Sequence, residues 1–308
     1  LPVAGRRARY RTGIRHLMLS QIIHPGPAAH DRFTALRCAA TPVTVSLRGG
    51  VPLMQAVAEG FAAAGFDAGW LDLRDAPCDA LTYLIPGLDP SGAHAAWYNG
   101  PHHGGPGVIR QLGLWLGLRD GASFLHGHGL WSIAGQGDRV GHILPFDTVL
   151  THDITAHGWG LRAARLVVAP DPETGFSLFQ PQPLPGLAHV APTCSSSEAA
   201  PPQDAVLVTL RPNGDISAML DQIALTHDMP DAQVLGLGSL IGPRFATGGG
   251  VDSFATEILL TAGQIRDGES HLSALVVGLD GTHQHGALAR GACAVCVTCE
   301  LLLIAPPR

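Results

Sequence analysis

The chain has 308 residues, 46% apolar and 14% charged, enough apolar material for two packed domains and too much for disorder throughout. A formal charge of −6 withholds the electrostatic excess that drives binding to phosphate backbones. Each hydrophobic stretch is broken by Gly, Pro, Arg or Asp before about eighteen residues, so no membrane-spanning helix is expected.

Residues 1–29 open with Arg6, Arg7, Arg9, Arg11 and Arg15, a short basic tail that reads as a solvated end; contact with nucleic acid is the alternative. The tail lacks the continuous apolar core and small-residue cleavage site of a secretory leader, so a cytoplasmic location is expected. All 19 basic residues of the chain are Arg, a usage that fits a GC-rich genome better than any chemical demand.

Residues 30–168 form the first expected domain. PVTVSLRGG (42–50) reads as a strand ending in a turn, and VPLMQAVAEGFAAAG (51–65) places apolar residues at helical spacing before a terminating Gly. FDAGWLDLRDA (66–76) follows as a small and apolar run. YNGPHHGGPG (98–107) reads as a loop with His102 and His103 in a solvated turn; without a following GK[ST] it is no phosphate loop. QLGLWLGLRDGASFLHGHGLW (111–131) is a strand, an Arg-Asp-Gly turn and a second strand, and GHILPFDTVL (141–150) is the expected last strand.

Residues 169–203 are rich in Pro, Ser and Gln and read as a linker. Beyond it, residues 204–308 repeat the order of the first domain: AVLVTLRPNGD (205–215), ISAMLDQIALTHDMP (216–230), DAQVLGLGSLIG (231–242), ILLTAGQIRDGESHLSALVVG (258–278) and GALARGACAVCVTCELLL (286–303). The Arg-Asp-Gly turns at 119–121 and 266–268 align without gaps. The expected fold is α+β: two similar domains, each a mainly antiparallel sheet with one principal helix packed on it.

Of six cysteines, three fall in CAVCVTC (293–299). As a strand this run puts Cys293 and Cys299 on one face and Cys296 on the other, which suits buried, reduced thiols better than a shared ion.

The histidines carry more chemistry. His126 and His128 sit two residues apart on one strand and project to the same face about 6.5–7 Å apart, with Gly127 expected to leave the opposite face open. A hairpin turning within residues 134–139 returns His142 to the level of His128. Three neutral imidazoles suit zinc, or less selectively iron, nickel or copper, and leave a coordination position open. The ion would be catalytic, structural between subunits, or absent if these are ordinary strand histidines. Asp138 and Asp147 are the candidate general bases, and spacing singles out neither.

FLHGHGLWSIAGQGDRVGHILPF (124–146), set in this element order, resembles the metal-site hairpin of the plant and prokaryote conserved (PPC) domain. The resemblance covers nearly all of both halves. It implies α+β domains, trimeric assembly and a DNA-binding or regulatory role; no Arg-Gly-Arg-Pro AT-hook is present to carry the minor-groove contact of the plant proteins. In the second half the matching positions are Ser273, Leu275 and Ala287, so the metal set is expected only in the first. The competing reading is a small-molecule metalloenzyme of hydrolase or lyase type, using water bound to a zinc-like ion.

Overall fold

The computed structural model describes residues 21–184 and 202–307; the arginines at 6–15 and Cys194 lie outside them. The first half runs β1 (Phe33–Leu47), α1 (Leu53–Ala63), β2 (Gly69–Gly87), β3 (Trp97–Gly104), β4 (Gly107–Arg119), β5 (Ala122–Ile133), β6 (Gly137–Ile143), β7 (Val149–Leu150), β8 (Ile154–Arg162), β9 (Ala164–Pro170) and β10 (Ser177–Pro183). The second runs β11 (Gln203–Leu210), α2 (Ile216–Thr226), β12 (Ala232–Ile241), β13 (Thr256–Arg266), β14 (Glu269–Val277), β15 (His283–Ala287) and β16 (Ala294–Ile304).

Strand pairing shows the duplication directly. In the first half β1 pairs with β8, β8 with β2, β2 with β4, β4 with β5 and β5 with β6. In the second, β11 pairs with β16, β16 with β12, β12 with β13, β13 with β14 and β14 with β15. Each half is thus a mainly antiparallel sheet in the same spatial order with one helix, as the repeated sequence pattern predicts. The halves join through their first strands, β1 against β11, with Phe33 opposite Leu210 and Ala40 opposite Gln203. The Arg-Asp-Gly turns are tight hairpins in both copies. Asp120 and Gly121 have φ of 52° and 79°, and Asp267 and Gly268 have 50° and 81°, the paired left-handed residues that match the twist of the flanking strands.

The helices begin differently. α1 follows Pro52 with no side-chain cap, and its first N–H groups are satisfied by the loop after β6: Leu53 N donates to Thr148 O at 2.8 Å and Met54 N to Pro145 O at 3.0 Å. α2 is capped by Asp215, whose side chain accepts from Ala218 N at 3.0 Å. Both bury one face, Leu53, Val57 and Phe61 in α1 and Ile216, Leu220 and Ile223 in α2, the four- and three-residue spacing read from the sequence.

The two sheets also meet face to face, which sequence gave no means of anticipating. Gly113 on β4 permits it: a Cβ there would fall 2.5 Å from Leu259 Cδ1 of the second half. Trp115, fully buried beside it, donates its indole N–H to Glu300 O at 3.1 Å. Beside the β1–β11 seam Arg211 of the second half pairs with Asp171 of the first at 2.7 Å, and Arg32, paired with Glu173 at 2.8 Å, also donates to Pro212 O.

Several expectations need correction. The segment 169–203 is not linker from its start, because Ser177–Pro183 pairs antiparallel with Ala164–Pro170 along its whole length; its prolines sit at a sheet edge, where a missing N–H costs no ladder bond. The residues from 98 to 104 are strand rather than loop, since β3 pairs with the long β2. The counterpart of β16 is β8, not GHILPFDTVL, which divides into β6, a turn and the two-residue β7. Residues 154–162 disguise their strand character by interrupting the apolar alternation with His157, Gly158 and Gly160. Among the described residues no helix is long and apolar enough to cross a membrane.

Candidate metal centre

β5 presents Phe124, His126 and His128 on one face, opposite Gly117, Trp115 and Gly113 of β4. β6 brings His142 directly opposite His128. The donor atoms of His126, His128 and His142 all lie within 4.8 Å of one another, with His128 buried and the others half-buried. The far face behind Gly127 is not open. A Cβ there would fall 2.2 Å from Leu114 Cδ2, so Gly127 is required by close packing.

The second half supplies what the sequence reading left out. Glu257 of β13 places Oε2 2.8 Å from His128 Nε2, and Glu300 of β16 places Oε2 3.2 Å from His126 Nδ1. Both glutamates are buried. The Glu300 contact is close without hydrogen-bond alignment, and Glu300 Oε2 is left without a hydrogen-bond partner. Each acid stands alone in an apolar strand, TEILL and CELLLI, and that was the available signal: a carboxylate is rarely buried without a partner. The candidate bases do not reach the site. The Asp138 carboxylate accepts from Ser132 Oγ near the tip of the hairpin, and Asp147 lies in the turn before β7.

Hydrogen bonding fixes the tautomer of His128. Its Nδ1 lies 2.9 Å from Ile258 O, and a carbonyl only accepts, so Nδ1 carries the proton. In the neutral ring Nε2 is therefore a lone pair, and it faces both Glu257 Oε2 and His126 Nε2, the latter at 3.1 Å. The lone pair and the Glu257 carboxylate are both acceptors and need a proton or a cation between them, while His126 Nε2 meets the same lone pair as an N–H donor or across a cation. Burial works against charging His128, but the Glu257 carboxylate and its hydrogen bond outweigh it and raise the pKa. His142 shifts the other way: burial, then the neighbouring His126 and His128, hold it well below the usual value and keep it neutral. Its Nδ1 is buried without a partner. The residues thus fit a divalent ion: three imidazoles, one of them with an orphaned nitrogen, a backbone carbonyl that orients one ring and carboxylates beside two of them. Two zinc-bound nitrogens about 2.0–2.1 Å from the metal stand about 3.3 Å apart in a tetrahedron, close to the His126–His128 separation.

The cluster opens into a cavity of about 310 Å³ between the two halves. Its walls are aromatic and apolar, with Tyr98, Phe124, Phe176 and Phe179 among them. Burial, then Glu257 and Glu300, hold the Tyr98 phenol well above its usual pKa, so it stays a neutral hydroxyl. Phe176 and Phe179 come from the stretch read as linker. His102 and His103 stay away, His102 against the Tyr83 ring and His103 beside Thr82. Cys293, Cys296 and Cys299 are free and buried, as the alternation predicts, and burial lifts the Cys293 thiol to about 11.

The second copy keeps the hairpin and not the ligands. Ser273 and Leu275 stand where His126 and His128 do, but Ala287 is not the counterpart of His142. β15 places His285 opposite Leu275, as His142 is opposite His128. Fourteen residues separate His128 from His142 but ten separate Leu275 from His285, so the second hairpin is the shorter and the position expected from the sequence falls two residues too far along. His285 points instead to Thr261 Oγ1, 2.8 Å away.

A scan against protein-family models gave no match, and a search of curated proteins gave none either. Solved structures do resemble parts of the chain. A PPC protein from Pyrococcus horikoshii matches at 14% identity and a TM-score of 0.35, covering 49% of this chain and 99% of that one. A metal-containing protein from Archaeoglobus fulgidus matches at 17% identity and 0.33, covering 46% and 94%. A protein from Ralstonia eutropha, provisionally named DNA-binding, matches at 13% identity and 0.33, covering 44% and 89%. Each covers about half of this chain.

Proposed function

We propose that the chain is a metal-dependent small-molecule protein, with a divalent ion, zinc by preference, held by His126, His128 and His142 at the floor of the cavity between its halves. The observation that carries this is the convergence of His126 Nε2, His128 Nε2 and Glu257 Oε2, which one divalent ion would satisfy together, beside a buried and unpartnered His142 Nδ1. Bound there, the ion supplies Lewis-acid polarisation of a carbonyl or of water, the chemistry of hydrolases and lyases. Glu257, on the cavity wall, is the carboxylate placed to take or give a proton at a bound molecule. Glu300 orients His126, and Ile258 O orients His128.

A DNA-binding role has the sequence resemblance and the arginines at 6–15 in its favour, against a formal charge of −6 and a cavity too enclosed for a duplex. The trimer of chains implied by the sequence resemblance belongs to the same proposal and is tested by native mass. So does a reducing compartment, which the free, buried cysteines suit.

Metal analysis of purified protein tests the reading. About one ion per chain is expected in the wild type and none in the triple variant His126→Ala, His128→Ala, His142→Ala. Stoichiometric metal in a folded triple variant refutes the ligand set. DNA affinity in low salt that falls on deletion of residues 1–15 would favour the other role.

A further inference from the structure

Resting on that metal site, we infer that the cavity is built for an elongated acid: a metal-binding head group, a flat apolar body and an anionic tail that pairs with Arg119. The cavity has two chemically opposite ends. At one lie the histidines with Glu257 and Glu300, and at the other lies Arg119, the single cationic side chain among the described residues that line it. One strand face sets their separation. Trp115, Gly117 and Arg119 alternate onto the face of β4 that carries the site, and Trp115 is the register partner of His126. Arg119 therefore lies four residues along the strand from the metal end, about 13 Å between backbones.

What lies between is apolar and ring-lined. Phe124 projects between His126 and the turn, and the Arg119 guanidinium sits 5.2 Å over its ring centroid. Gly117, opposite Phe124, has no room for a side chain: a Cβ there would fall 2.5 Å from Leu166 O and 2.6 Å from the Phe179 ring. Phe176 and Trp97 stack at 5.3 Å with an interplanar angle of 22°. Trp97 is 39% exposed, an unusual position for a large ring unless it borders an entrance. A flat body matches such walls better than a branched one.

The guanidinium is free to take an anion. Its acidic neighbour, Asp120, is 4.0 Å away and almost wholly solvated, while the Arg119 side chain is half exposed. Arg presents a planar fork that matches a carboxylate with two parallel hydrogen bonds. A neutral or cationic tail would leave that fork unused.

Two probes test this on the zinc-loaded, full-length protein. Benzohydroxamate offers a chelating head and a flat ring, and 4-carboxybenzohydroxamate adds the anion. Their dissociation constants are measured with wild type and Arg119→Gln, and metal content is measured on every sample. The carboxylated probe is expected to bind wild type on the order of tenfold more tightly than the plain one, and Arg119→Gln is expected to erase that advantage. Benzohydroxamate should bind both proteins alike, which shows that the variant has kept its fold and its metal. Equal affinity of the two probes for wild type, an advantage that survives in Arg119→Gln, or no binding of either probe to protein with its full metal complement overturns the inference. Protein that takes up no zinc overturns the metal site itself, a result distinct from all three.

Discussion

The β5–β6 and β14–β15 hairpins share a backbone and have opposite chemistry. In the first, His126, His128 and His142 gather on one face; in the second the same places hold Ser273, Leu275 and His285, and the histidine turns to Thr261. Yet the second half is not inert. Its strands β13 and β16 deliver Glu257 and Glu300 to the first half's histidines, and Ile258 O fixes the tautomer of His128. On the proposed metal site, one copy would keep the ligands and the other the groups that orient them. The two hairpins are alike in backbone, and the groups that approach the first hairpin's histidines come from β13 and β16 rather than from the second hairpin.

Substitutions that distinguish the halves test this comparison. The largest effect is expected from replacing the three histidines with Ala, which removes the ion altogether, whereas changing Ser273 and His285 to Ala leaves metal content unchanged. Next comes the contact that docks one sheet on the other. Trp115→Ala empties a fully buried site and removes the indole hydrogen bond to Glu300 O, and is expected to cost about 3–5 kcal/mol in denaturant unfolding. A loss within about 0.5 kcal/mol would mean that the halves do not depend on this contact. Glu257→Gln and Glu300→Gln preserve shape and remove charge; each is expected to weaken zinc affinity roughly tenfold, read by chelator competition. Unchanged affinity in both would leave the second half a purely architectural role.

A smaller effect concerns the ion pair across the junction. Burial alone would raise the Asp171 pKa, but hydrogen bonds from Thr174 and the Arg211 guanidinium outweigh it and hold it below the usual value. A carboxyl depressed in the folded state contributes stability above its unfolded pKa, about 3.9, and loses that contribution as pH falls through the folded value. Asp171→Asn is therefore expected to cost about 1 kcal/mol near neutral pH, with the difference from wild type shrinking below about pH 4. A constant difference down to pH 2 would show that the pair's charge contributes nothing.

The sequence made the repeat legible because its signals are local. The Arg-Asp-Gly turns, the two amphipathic helices and the i, i+2 histidines each need only a few neighbouring residues to be recognised. His142 was within reach for the same reason, since one short hairpin joins it to His128. Glu257 and Glu300 were not, because their partners lie 129 and 174 residues earlier and depend on how one sheet docks on the other. A lone acid in each apolar strand was the single local trace. β10 was hidden by composition: its prolines signal linker, yet the strand lies at an edge and supplies Phe179 to the cavity.

The central claim, a metal ion held by histidines of one half and oriented by carboxylates of the other, is tested most directly by crystallography of the zinc-soaked protein with anomalous data across the zinc edge. The account predicts one strong peak per chain about 2.0–2.2 Å from a nitrogen of each of His126, His128 and His142, on the side facing Glu257. A map with no peak there, or with its peak at His283 and His285, would contradict it.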